Sequence, residues 1–131
     1  MKGRQRAGGA KMDESRKEKI EALETLIEYN ERILKNIPIL VKELSGARLE
    51  DTDNFLDSII KALNWEFEVV NLTMDVLNEG TERIHKEQVN EKIEALSEAI
   101  KSKDDSKMAD SFAQTVAVLE TIGNAAKEVT A

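Results

Sequence analysis

Between Thr52 and Glu79 the apolar residues cover far more than one stripe of a helical wheel. Leu56, Ile60, Leu63, Phe67, Val70, Met74 and Leu77 follow a 4,3,4,3 spacing, with Ile59 beside them. Ala62, Trp65, Val69, Leu72 and Val76 make a second line. Only the sector carrying Asp57, Lys61, Asn64, Glu68, Asn71 and Asp75 is clearly polar. A helix apolar on most of its circumference must be covered on two sides.

Upstream, the pattern narrows to a heptad. Ile20, Ile27, Leu34 and Val41 hold one register and Leu23, Ile37 and Leu44 the other, widened by Leu26, Ile33 and Leu40. That period predicts small-angle packing of a first helix that begins near Asp13 or Ser15. Asn30 stands where the pattern asks for an apolar residue between Leu23 and Ile37. It either fixes the register of the seam or sits where the helix leaves its neighbours. Pro38 removes an amide donor and crowds the carbonyl of Leu34, which predicts a kink, because the heptad continues through Val41 and Leu44. Ser45-Gly46 reads as the stop, and Asp51-Thr52-Asp53 as N-caps for a second helix that ends at Asn78-Glu79-Gly80.

Thr81 offers a cap for a third helix with a narrow stripe: Ile84, Val89, Ile93, Leu96 and Ile100. Ser102 to Asp105 reads as a tight turn, with Asp104 or Asp105 capping a fourth helix. That helix shows Met108, Phe112, Val116, Leu119 and Ile122 on one face, and Ala109, Ala113 and Ala117 permitting close approach on another. Gly123 falls late enough to be tolerated or to loosen the last turn. Period-two alternation is absent, so the expected fold is all-α: a four-helix up-down bundle with a long, Pro-kinked first helix. At ~1.5 Å per residue, the first two helices would be about 45 Å long and the last two nearer 25–35 Å. The apolar excess on the long pair predicts a homodimer through Ile20, Leu23, Ile27, Leu34, Trp65 and Leu72.

Composition sharpens this picture. The chain has 131 residues, 40% hydrophobic and 34% charged, with one proline, which suits a single helical domain over residues 13–131. There is no cysteine, so disulfides and thiolate metal sites are excluded. No apolar run is long enough for a membrane span, and a soluble cytoplasmic protein is expected. Lys2, Arg4, Arg6 and Lys11 meet no acid in their stretch, so the rest of the chain is more acidic than the overall charge of -7. An acidic body carries no footprint for nucleic acid or an anionic membrane. Residues 1–12 read as a disordered basic tail.

The search for chemistry yields little. His85 is the single histidine, so Glu82-Arg83-Ile84-His85 lacks the second Glu-x-x-His that a di-iron bundle needs. Glu28-Tyr29-Asn30-Glu31 followed by Glu50-Asp51-Thr52-Asp53 resembles the Mg²⁺-holding carboxylates of MazG-like nucleotide pyrophosphohydrolases. With 26 acidic residues such matches arise by chance, and half of this one falls in a loop and cap. No catalytic, metal or cofactor residue is assigned. The polar residue out of place is Glu66, inside the apolar arc of the second helix. It either reaches solvent through a gap or joins Thr73 and Asn30 in an interior polar cluster, paired or with a raised pKa.

The hairpin Leu96-Ser-Glu-Ala-Ile-Lys-Ser-Lys-Asp-Asp-Ser-Lys-Met-Ala-Asp, running into Phe112 and Leu119, resembles small bacterial helical-bundle proteins such as flagellar export chaperones. The likeness covers roughly residues 86–128 and transfers no functional residue. The leading expectation is a non-enzymatic interaction or adaptor protein, homodimeric, with a protein partner and no cofactor. A chaperone-like binder that takes a client helix into a groove is the alternative, and the Mg²⁺-dependent hydrolase the third.

Overall fold

A computed structural model describes residues 2–131, with side chains from Ser15 onward. The predicted basic tail, residues 1–12, therefore lies outside the side chains described. The elements are α1 (Lys2–Leu44), α2 (Thr52–Leu72), α3 (Met74–Leu77), α4 (Lys86–Ser102) and α5 (Asp105–Thr130). The protein is all-α, with no strand among the described residues.

On α1 the buried line is Leu23, Leu26, Asn30, Ile33, Ile37, Leu40 and Leu44, an unbroken alternation of three and four. Ile20, Ile27, Leu34 and Val41 only flank it, half-buried. The helix starts upstream of the Asp13–Ser15 caps that the sequence suggested, and it continues through Pro38. Pro38 is exposed, so its ring lies on the solvent side and the seam runs on beneath it.

The long second helix does not reach Glu79. It ends at Leu72, and Thr73 adopts φ -112°, ψ 12° before the single turn of α3. The Thr73 hydroxyl donates to the Val69 carbonyl at 2.6 Å, and its own amide donates to the same oxygen at 2.9 Å. A β-branched side chain that competes for the helical acceptor loosens the ladder there. The expected capping by Asp51 and Asp53 also differs, since no side chain caps α2. Instead the Thr52 hydroxyl accepts from Leu49 N at 2.8 Å and donates to the buried Glu43 carboxylate at 2.7 Å.

The segment after Gly80, which takes the expected left-handed φ of 82°, is not helical. The Asn78 side chain organises it, accepting from Arg83 N and Ile84 N, each at 2.8 Å, and donating to Ile84 O at 3.0 Å. Ile84, expected on a third-helix stripe, is buried from this linker, and α4 begins only at Lys86. Asp104 caps α5 as the sequence indicates, its Oδ1 accepting from Lys107 N at 3.1 Å. Asp104→Ala should cost about 1 kcal/mol in chemical denaturation, a typical N-cap value. A change within a few tenths would show that Ser102 and Lys103 hold the turn alone.

Cross-helix pairs give the directions. Arg16–Glu79, Lys19–Asp75 and Tyr29–Trp65 run α1 antiparallel to α2 and α3. Arg48 grips both oxygens of Asp105 at 2.6 and 2.9 Å and Asp53 at 2.8 Å, while Glu31 meets Lys127, so α5 is antiparallel to α1. α4 packs on α5, and Phe112, Leu119 and Ile122 fill the centre with no exposure. Against expectation, α5 with 26 residues is longer than α2 with 21. The predicted contrast of two long helices followed by two short ones is replaced by one long helix, α1, packed with three shorter ones.

Candidate functional site

α2 and α4 stand apart where the other neighbours close, and the gap between them is an apolar cleft of about 250 Å³. Ile60, Leu63 and Phe67 line it from α2, and Ile93, Leu96 and Ile100 from α4, with Asn64, Ser97 and Lys101 at the edge. The helical pattern accounts for it. α2 is apolar on two sides, so the side turned from α1 still presents Ile60 and Phe67. The narrow stripe of α4 puts Leu96 and Ala99 into the core, which leaves Ile93 and Ile100 half-buried. Beyond Ile60 and Ile100 the cleft continues to Leu56, Met108, Arg48 and Lys103. Asp53 pairs with Arg48 and Asp57 with Lys61, whereas Lys101 and Lys103 form no ion pair among the described residues.

A second feature lies one layer deeper. Glu66 is fully buried, and neither carboxylate oxygen has a hydrogen-bond partner. Of the two readings left open by the sequence, burial holds and the solvent gap does not. Burial alone pushes the carboxyl up to about 8, since water stabilises the anion and the core does not. Asn30 is 3% exposed, and its Oδ1 is also unpartnered. Tyr29 and Trp65 stack across α1 and α2 with centroids 4.6 Å apart. Asn30 and Glu66 are the next residue on each helix, turned ~100° inward, and so share a level of the core. Thr73 does not join them. It is buried, but its hydroxyl is committed to Val69 and lies two turns along α2.

The residue missed from sequence is Gly123. A Cβ there would collide with Asn30 Nδ2, so this glycine is the notch that admits the Asn30 amide. Of the alanines expected to permit close approach Ala109 is buried, whereas Ala113 and Ala117 face solvent, and Gly123, Ala125 and Ala126 are further small residues in the core. A polar residue in one heptad and a glycine in another helix were each visible, but their pairing depends on the register between α1 and α5.

Of the six predicted interface residues, Leu23 is consumed by the core, and Ile20, Ile27 and Leu34 pack half-buried against it. Trp65 is half-buried under Tyr29, with the Arg32 guanidinium 5.6 Å over the Tyr29 ring. Leu72 is 66% exposed. Glu28 and Glu31 lie midway along α1, whereas Glu50 and Asp53 lie past its end, which is about 20–24 Å away by helical rise. The carboxylates of the pyrophosphohydrolase-like match therefore do not converge. The described residues contain no group of three potential metal ligands. His85 and Glu82 pair with each other at the surface. Among the described residues no helix is long and apolar enough to cross a membrane.

Residues 21–125 match the sequence model of a family described as a domain of unknown function (DUF8042). Neither the curated proteins nor the solved structures give a match.

Proposed function

The chain belongs to the DUF8042 family, whose match covers residues 21–125, and we propose that it is a non-enzymatic, cytoplasmic binding protein that docks an amphipathic helix of a protein partner. The observation that carries this reading is the cleft between α2 and α4. It is concave, apolar along its floor, and edged in its middle by the neutral Asn64 and Ser97, in a chain one-third charged. Helix-in-groove recognition uses such a surface, with side chains at i, i+3/i+4 and i+7 entering in turn. In this reading α1, α2, α4 and α5 form a four-helix up-down bundle, α1 bends at Pro38, and the partner helix fills the open α2/α4 seam. The likeness of residues 86–128 to helical-bundle chaperones points the same way.

A photo-crosslinking residue at Asn64 should capture one discrete partner from the native cell, and a probe at the exposed Gln114 should not. Ile93→Lys should abolish the adduct while leaving helicity unchanged. Equal capture from both positions, or an adduct indifferent to Ile93→Lys, would remove the docking reading.

A second reading, self-association, is favoured by the Tyr29–Trp65 stack with Arg32 above it and the exposed Leu72, since Trp, Tyr and Arg dominate interface anchors. Light scattering across a hundredfold concentration range tests it. A dimer that Leu72→Glu dissociates supports the reading, and a monomer throughout rejects it.

A further inference from the structure

Leu63 and Phe67, which line the cleft, bracket Glu66 in the sequence, so the cleft floor and the buried carboxyl are carried by the same turn of α2. Glu66 Oε1 and Oε2 and Asn30 Oδ1 are all buried without a partner, and because Asn30 and Glu66 each follow one member of the Tyr29–Trp65 stack, helical geometry sets the three oxygens at one level between α1 and α2. All three are acceptors, the Asn30 amide nitrogen is turned into the notch at Gly123, and the donor the oxygens lack is a proton on Glu66 itself. We propose that Glu66 and Asn30 form a proton-dependent latch: the neutral carboxyl donates to Asn30 and holds α2 against α1, whereas its ionisation draws water along α2 and widens the α2/α4 cleft. The proposal rests on the cleft being the docking site and names how that site is regulated.

No charged group stands in for the missing donor. On α1, Glu28, Glu31 and Arg32 beside Asn30 are exposed, and Glu31 faces Lys127. On α5, Glu120 and Lys127 point to solvent. On α4, Lys92 reaches Gln114, on the α5 side. In the linker, the Arg83 guanidinium is held by the carbonyls of Leu77 and Glu79 and pairs with Glu128. Accordingly burial is the sole influence on the Glu66 carboxyl. The α1 side is closed by the Tyr29–Trp65 stack, and the cleft side is already open down to Leu63 and Phe67.

Hydrogen exchange of the full chain between pH 5.5 and 9, corrected for intrinsic amide rates, tests the latch. Openings of α2 between Leu63 and Leu72 should become about tenfold more populated per pH unit until near pH 8, then level off. Protection at the α1–α5 contact, around Ile37 and Phe112, should change less. Glu66→Gln should flatten the α2 response, and Glu66→Leu guards against a failure peculiar to the amide. A response equal in all helices, or one that survives in both variants, overturns the latch. Loss of the Asn64 cross-link with the α2 response intact removes the docking site and leaves the proton dependence. An intact cross-link with no α2 response does the reverse.

Discussion

Glu66→Gln should stabilise the protein by about 3 kcal/mol at pH 7, raising the melting temperature by roughly 10 °C. The carboxyl titrates at an ordinary 4.5 when unfolded and is pushed up to about 8 by burial. Between those values folding must bind a proton, so the stability that Glu66 permits is complete below pH 4.5. It drains by about 1.4 kcal/mol per unit as pH rises, and is lost once pH passes 8. Glutamine fills the same space and donates without a proton to recruit. Its advantage should vanish near pH 4 and reach about 5 kcal/mol at pH 9. Urea denaturation of both proteins across that range decides the matter, and parallel curves would mean that Glu66 reaches water. The exposed carboxylates act in a separate window. Hydrogen bonds from Lys19, Arg16 and Arg48 hold Asp75, Glu79 and Asp105 below their usual range, so those pairs weaken only on acidification.

This opposition between Glu66 and its helix explains which features the sequence exposes and which it hides. Hydrophobic period is local, so the heptad of α1, the stop at Gly46 and the cap at Asp104 could all be located from neighbours in the chain. The break at Thr73 could not, because the apolar line through Val70, Met74 and Leu77 continues straight across it. The competing force is a side-chain hydroxyl choosing the Val69 carbonyl. Ile84 was misplaced for a similar reason: an apolar residue in phase with a helix is buried here by a linker that Asn78 folds. Among the candidate site residues, Glu66 and Asn30 were visible as polar intrusions in apolar arcs. Thr73 belonged to the same arc by wheel position but is satisfied within its own helix. The cleft was not legible, because a half-buried Ile93 or Ile100 reads the same whether or not α2 closes over it. What Leu23, Ile27 and Leu34 face depends on the position of α5, which no period encodes.

Gly123→Ala should destabilise the protein by about 2 kcal/mol, although alanine is favoured over glycine in a helix by about 1. The added methyl enters the space of Asn30 Nδ2, within a side chain that is 3% exposed and meets α5 at this point. Asparagine has only two side-chain torsions, so the amide escapes the methyl by turning toward the Glu66 level or by pushing α1 from α5. Overpacking of this kind typically costs about 1–3 kcal/mol in a close-packed core. The decisive measurement is the double-mutant cycle. In an Asn30→Ala background the methyl meets no amide, so the same substitution should become neutral or stabilising, with a coupling near 2 kcal/mol. Additive effects would show that the methyl does not act through Asn30, since backbone freedom is not needed at a glycine well inside α5. A strong coupling would instead make Asn30 and Gly123 the pair that sets the register of α1 on α5, with Glu66 at the same level of the core. The register and the proton-sensitive carboxyl would then be properties of one layer, and moving α2 there would change the cleft without disturbing the α1–α5 contact.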